Sequence, residues 1–302
     1  MKLPSASIYA QLPTERANPR VRGLDRMSVI KVVRAIARED LRVAVAVGRQ
    51  SPAIAKAAEA AARSLAKGGS LVLVGAGTSG RIAVMEAAEC PPTFNTKPSQ
   101  IRAVMAGGRP SVFRSKEGAE DDPKAGRRVG AGLRKEDLLI GVAASGITAF
   151  VRSALKAASA KGCVTVLVTS NGRPPGKPAS IVIAPDVGPE VVAGSTRLKS
   201  GTAAKLVLNT LTTAAMVRLG KVYDRWMVDL RPTSYKLRLR GVRITALLGR
   251  VGPKEAEELF DASGGSVKTA IVMARLSCGA RKARSVLKAA GGALRRALGE
   301  RQ

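Results

Sequence analysis

The chain has 302 residues, 45% of them apolar and only 3% aromatic, with 51 lysines and arginines against 22 acidic residues and a formal net charge of +29. It contains no histidine, which excludes Ser-His-Asp and Cys-His nucleophiles and any histidine metal site, and leaves Asp, Glu, Lys, Tyr or Cys for proton transfer near neutral pH. The three cysteines, Cys90, Cys163 and Cys278, are widely spaced, fit neither a metal knuckle nor a disulfide framework, and read as reduced core thiols.

The first twenty or so residues are polar and carry Pro4, Pro13 and Pro19, so an extended arm is expected. The spacing Val29, Val32, Val33, Ile36 predicts an amphipathic helix with Ser28 as its N-cap. A second helix is predicted from about Ser51 to Ala66, stopped by Gly68-Gly69. Strand and helix then alternate. The strands are Leu71–Val74, Ile101–Met105, Leu138–Val142, Val164–Val168 and a shorter Ile181–Ala184. Between and after them fall a helix at Ile82–Ala88, a helix or loop around Glu117–Val129, a helix at Ala149–Ala160, and a long helix at Ala203–Leu219. Near-continuous apolar strands alternating with helices predict an α/β fold, a parallel sheet covered on both faces. From Lys221 the alternation stops. Three further helices are predicted at Glu255–Ala262, Val267–Leu276 and Ala283–Leu298.

No run of about 18 apolar residues predicts a membrane span. Met1–Pro13 lacks a basic start followed by an apolar stretch, so no secretory leader is expected and the cytoplasm is the expected location. The basic surplus is spread along the chain, densest from Arg218 to Arg250 and from Arg281 to Arg301, with no nucleic-acid motif. It reads as a general basic surface that attracts anions. Scarce aromatics also argue against a base-stacking nucleic-acid surface.

In a parallel sheet ligands bind beyond the carboxyl ends of the strands, and three hydroxyl-rich turns stand there. They are Gly75–Gly80, Ala144-Ser145-Gly146-Ile147-Thr148, and Gly194–Thr202, which opens the long helix. Each combines glycine with Ser/Thr donors at a helix start, an arrangement suited to phosphate. The first lacks the Gly-Lys-Ser/Thr ending of a Walker loop and is a poor dinucleotide fingerprint. Two carboxylates lie near these turns in sequence, Glu89 and Glu120. Without histidine they lead as an acid–base pair.

These residues match a known pattern. Gly75-Ala76-Gly77-Thr78-Ser79-Gly80-Arg81 through Glu89-Cys90-Pro91-Pro92-Thr93 resembles the N-acetylmuramic acid 6-phosphate etherases, a branch of the sugar isomerase (SIS) domain superfamily. So do Glu117-Gly118-Ala119-Glu120-Asp121, Ala143-Ala144-Ser145-Gly146, Gly188-Pro189-Glu190-Val191, the run Gly194–Ala203 and Met227-Val228-Asp229-Leu230. The likeness begins near Leu12 and reaches Met273. It implies a SIS-type αβα sandwich with a five-stranded parallel sheet, a small C-terminal helical domain, a homodimer, and no metal or organic cofactor. It implies cleavage of the D-lactyl ether of the phosphosugar to N-acetylglucosamine 6-phosphate and D-lactate. Glu89 matches the acid to the lactyl oxygen, and Glu120 the second essential glutamate, read as the base at C2. Ser145, Gly146 and Thr148 match the phosphate loop, with Thr78 and Ser79 in support, and Glu190, Ser195 and Lys199 as further site-lining candidates.

Two departures stand out. The family's Arg-Thr-Pro after Ser145-Gly146 is Ile147-Thr148-Ala149 here, and its Thr-Asn-x-Lys-Leu is Thr233-Ser234-Tyr235-Lys236-Leu237. The alternatives are a non-catalytic phosphosugar-sensing regulator and an eliminase acting on another phosphosugar. The expected division is an N-terminal arm and helix over 1–50, the SIS domain over 51–225, and a linker with the helical domain over 226–302.

Overall fold

The computed structural model describes Tyr9 and residues 12–300. The chain divides into two compact units, Met1–Ala88 with Ser99–Thr212, and Glu89–Pro98 with Thr213–Gln302. Each is taken by itself.

The first unit opens with α1 (Val29–Gly48) and α2 (Ser51–Ala66). Five parallel strands follow, β1 (Leu71–Gly75), β2 (Ile101–Met105), β3 (Leu138–Val142), β4 (Val164–Val168) and β5 (Ile181–Ile183), in the order β2-β1-β3-β4-β5. All five strands stand where the apolar runs predict them. The period-2 alternation divides the sheet's side chains between two faces. Val72, Val74, Leu139 and Leu167 pack against Phe150, Val151, Ala154 and Leu155 of α5 (Ala149–Ala160). Leu71, Leu73, Leu138, Ile140 and Val166 take the other set of positions and are equally buried. The α2 helix lies against β1, β3 and β5, so both faces are covered, as a parallel sheet requires.

Two expectations need correction, and a third is made definite. The helix predicted at Ile82–Ala88 is α3, Gly77–Phe94, with Pro91 and Pro92 inside it. Its last turn survives two missing N–H donors because the Thr93 hydroxyl donates to the Glu89 carbonyl (2.8 Å) and the Asn95 N–H to that of Pro91 (2.9 Å). The glycine-rich turn is therefore already helix from Gly77. Likewise the long helix, α6, begins at Lys199 and runs to Arg218, ahead of the predicted Ala203. The region around Glu117–Val129 resolves into a 3₁₀ turn, Ala119–Asp121, and α4 (Pro123–Ala131), capped by the Asp122 carboxylate on the Ala125 N–H.

The expected arm is only partly an arm. Residues 1–8, 10 and 11 lie outside the described residues. Beyond them, Thr14 and Asn18 are buried. The Asn18 amide donates to Glu39 (2.8 Å) and to the Pro189 carbonyl (3.0 Å), and the Gly194 N–H donates to the Thr14 carbonyl (3.0 Å).

The second unit carries a two-residue hairpin, β6 (Val222–Tyr223) with β7 (Trp226–Met227), and helices α7 (Tyr235–Gly249), α8 (Pro253–Ala262), α9 (Val267–Leu276), α10 (Ala280–Ala289) and α11 (Leu294–Ala297). Its core gathers Val228, Leu230, Ile244, Phe260, Ile271, Val272 and Leu287. The single helix predicted at Ala283–Leu298 is split because Gly291 and Gly292 both take left-handed backbone (φ 62° and 77°). No helix among the described residues is long and apolar enough to cross a membrane.

Candidate active site

Strand order decides where the site can form. The chain goes from β1 to β2 on one side, then returns past β1 to β3 on the other. Connections leaving β1 and β3 diverge at their carboxyl ends, and a crevice opens there. Gly75 ends β1 and Val142 ends β3, paired in register. Each strand then turns into a helix, α3 from Gly77 and α5 from Ala149. Two helix N-termini thus stand beside one crevice, with their unsatisfied N–H groups and positive dipole ends.

A cavity of about 240 Å³ occupies this place. Thr78, Ser79, Ser145, Thr148 and Glu120 line it, joined by Tyr9, Thr14, Glu15, Asp121, Ile147 and Thr196 among others. The hydroxyls of Thr78, Ser79 and Thr148 make no hydrogen bond within the described residues; Thr148 occupies the N-cap of α5 without using its side chain there. The Ser145 turn is held from behind. Thr169 Oγ1 donates to the Ala144 carbonyl (3.0 Å) and the Asn171 amide to that of Ser145 (3.0 Å). Gly146 has φ +74°, and a Cβ there would stand 2.9 Å from Thr169 Oγ1. It shapes the turn without lining the cavity.

Among the described residues no lysine or arginine lines this cavity, despite the chain's +29. Ile147 fills the place where the resemblance has a cation. Glu120 is the titratable group of most interest. Burial, then the neighbouring charges of Asp121 and Glu117, raise its carboxyl above the ordinary 4.5. Burial and the same acidic wall, Glu120 first, also raise the Tyr9 phenol. A carboxyl raised in this way is suited to exchange protons with a ligand.

The other predicted residues lie elsewhere. Glu89 belongs to the second unit, exposed on the last turns of α3, and is not in the cavity lining. Ser195 sits between the lining residues Gly194 and Thr196 without lining the wall itself. Glu190 and Lys199 are both fully buried and do not line this cavity. The Glu190 carboxylate accepts from the Lys199 and Ser200 N–H groups (both 2.9 Å), capping α6. The Lys199 ammonium donates to Glu39 (2.7 Å) and the Val187 carbonyl (2.8 Å). Ser234, the second departure, caps α7 by accepting from the Leu237 N–H (3.3 Å). Tyr9, Thr14 and Glu15 are lining residues to which sequence reasoning assigned no site role. Their signal was masked by a proline-bearing stretch that reads as an arm.

A doubly wound parallel sheet with a hydroxyl-lined cavity at its switch point is the architecture of an α/β domain of the SIS type. Residues 53–159 match the model of the glucokinase regulatory protein N-terminal SIS domain. A phosphoheptose isomerase from Francisella tularensis shares the fold, with a TM-score of 0.50 at 18% identity over 63% of this chain and 100% of that one. Over nearly the whole chain the likeness is closer. The N-acetylmuramic acid 6-phosphate etherase of Salinibacter ruber is 46% identical over 97% of both chains. That of Geobacillus thermodenitrificans is 43% identical over 95% of this chain and 98% of its own. The chain belongs to the N-acetylmuramic acid 6-phosphate etherase family.

Proposed function

We propose that the chain cleaves the D-lactyl ether at C3 of N-acetylmuramic acid 6-phosphate, giving N-acetylglucosamine 6-phosphate and D-lactate. Family membership supports the reaction. The observation that carries it in this chain is the place of the Glu120 carboxylate in the wall of a cavity whose Thr78, Ser79 and Thr148 hydroxyls make no hydrogen bond among the described residues, with partial burial and the charges of Asp121 and Glu117 raising that carboxyl.

The chemistry needs little more. In the open-chain sugar the C2 proton lies beside the C1 aldehyde and is acidic. A carboxylate removes it, the C3–O bond breaks, and the lactyl oxygen leaves with a proton. Water then adds across the unsaturated aldehyde, and its oxygen becomes the C3 hydroxyl. A positioned acid or base contributes on the order of 10²–10⁴-fold. Glu120 is the base at C2 in this reading. Glu89, by its likeness to the family, is the acid at the lactyl oxygen. Thr78, Ser79, Ser145, Thr148 and the N-termini of α3 and α5 hold the phosphate, with the general positive field drawing the anion in. A sensor would have no use for the raised carboxyl.

The same reading has the chain work in the cytoplasm as a homodimer and without nucleic acid. Ile30, Val33, Leu41 and Val45 support the dimer: they share one stripe of α1 and are 54%, 54%, 76% and 57% exposed. The test is D-lactate release from N-acetylmuramic acid 6-phosphate by the full chain. Release that disappears in both Glu89→Gln and Glu120→Gln supports the reading; release that persists in Glu120→Gln rejects it.

A further inference from the structure

A second cavity, of about 150 Å³, shares Ala76, Gly77 and Glu120 with the first. Its charged lining is Arg81, Lys116, Glu117 and Glu120, so the cations missing from the first cavity are found here. Arg81 Nε donates to the Val112 carbonyl (2.8 Å) and Nη2 to that of Ser111 (3.1 Å). These bonds pin the 3₁₀ turn Arg109–Val112 and leave further guanidinium donors unused among the described residues. Ser115 donates to Glu117 at 3.5 Å. The Lys116 ammonium has no ion pair among the described residues.

Ser111 gives the second, independent observation. It is 3% exposed, lines this cavity, and among the described residues its Oγ has no hydrogen-bond partner. Buried hydroxyls are rarely left this way. Gly107 makes room for it: with φ +80°, a Cβ there would stand 2.3 Å from Ser111 Oγ and 3.1 Å from Lys116 Cδ. The hydroxyl and the lysine stem therefore crowd the same glycine.

We infer that this second cavity seats the carboxylate of the lactyl group, held by Lys116, Ser111 and Arg81, with Glu120 at the junction where sugar and leaving group meet. The inference rests on the etherase reading and adds to it the group that selects the lactyl ether. Such a substrate carries two anionic ends. The first cavity offers hydroxyls and helix N-termini for one, and the second adds, in Arg81 and Lys116, the cations for the other. An acetamide would need neither cation.

The test compares the natural substrate with its counterpart in which the lactyl acid is a neutral amide, reading the appearance of N-acetylglucosamine 6-phosphate. A charge-assisted bond lost by the amide predicts that the parent prefers the acid by about 10- to 100-fold in kcat/KM. Lys116→Met should shrink that preference to a few-fold, and Ser111→Ala should shrink it in part. Inhibition by N-acetylglucosamine 6-phosphate, which lacks the lactyl group, should stay as in the parent. An active parent whose preference survives both substitutions overturns the carboxylate seat alone. So does a matching loss of inhibition by the product sugar, which would put the acetamide there. A parent that turns over neither compound overturns the etherase reading as well.

Discussion

The Lys199 ammonium, fully buried, lies 2.7 Å from Glu39 Oε2. The pair joins the first residue of α6 to the middle of α1. Glu39 also takes Arg20 (2.6 Å and 2.8 Å) and Asn18, and Arg42 stands 3.6 Å away. Among the described residues Lys199 has only the Val187 carbonyl besides. Removing one partner of a buried pair costs about 3–5 kcal/mol. Urea unfolding should place Lys199→Met toward the low end of that range, since Arg20 still answers Glu39. Glu39→Leu should be worse, because it leaves the lysine's charge buried with one carbonyl. Negligible losses in both would show the pair to be structurally idle, and equal large losses would show that Arg20 does not answer Glu39 when the lysine is gone.

The same network sets an acid limit. Hydrogen bonds from Arg20, then from Lys199 and Asn18, hold the Glu39 carboxyl far below its ordinary 4.5 despite burial. A depressed carboxylate stabilises the fold fully above its unfolded value and loses that contribution as pH falls through the folded one. Stability from Glu39 should therefore hold above about pH 5 and decline steadily below about 4.5. Urea midpoints measured down the acid side should fall more steeply for the parent than for Glu39→Gln.

Glu120 has the opposite sign. Burial and the charges of Asp121 and Glu117 raise it, so its ionisation works against the folded state. Glu120→Gln should lose turnover while its melting temperature stays level or rises. In the parent, a base must be ionised, so kcat/KM should fall on the acid side with a limb above 4.5. A limb at or below the ordinary carboxylate value would separate Glu120 from the rate.

The hydroxyl seat predicts a selective loss. Hydrogen bonds to a charged group are worth about 1.5–3 kcal/mol, so Ser145→Ala and Thr148→Val should each lower kcat/KM about 10-fold or more. The parallel assay uses N-acetylmuramic acid without its phosphate. There the substitutions should change little, and an equal loss on both substrates would move the phosphate elsewhere.

How much of this was legible depends on the element. The five strands were readable because runs such as Leu71–Val74 and Leu138–Val142 are apolar on both faces. Helix α7 was not. Lys236-Leu237-Arg238-Leu239-Arg240 alternates with a strand's period, and its buried face includes Gly241, Thr245 and Gly249, too small to show a helical stripe. In the site, turns after strands led to Thr78, Ser79, Ser145 and Thr148. Motif likeness could not tell Glu190 and Lys199, which cap and anchor α6, from residues that meet a ligand. It reached Thr14 and Glu15 without giving them a site role and did not mark Tyr9; all three reach the cavity by tertiary contacts of a segment that reads as an arm.

The most direct test of the central claim is exchange of the substrate's C2 proton with deuterium oxide, followed by nuclear magnetic resonance in the parent, Glu120→Gln and Glu89→Gln. The account predicts exchange in the parent, none in Glu120→Gln, and exchange without lactate release in Glu89→Gln. Exchange that persists in Glu120→Gln would contradict it, because the C2 proton would then have another base.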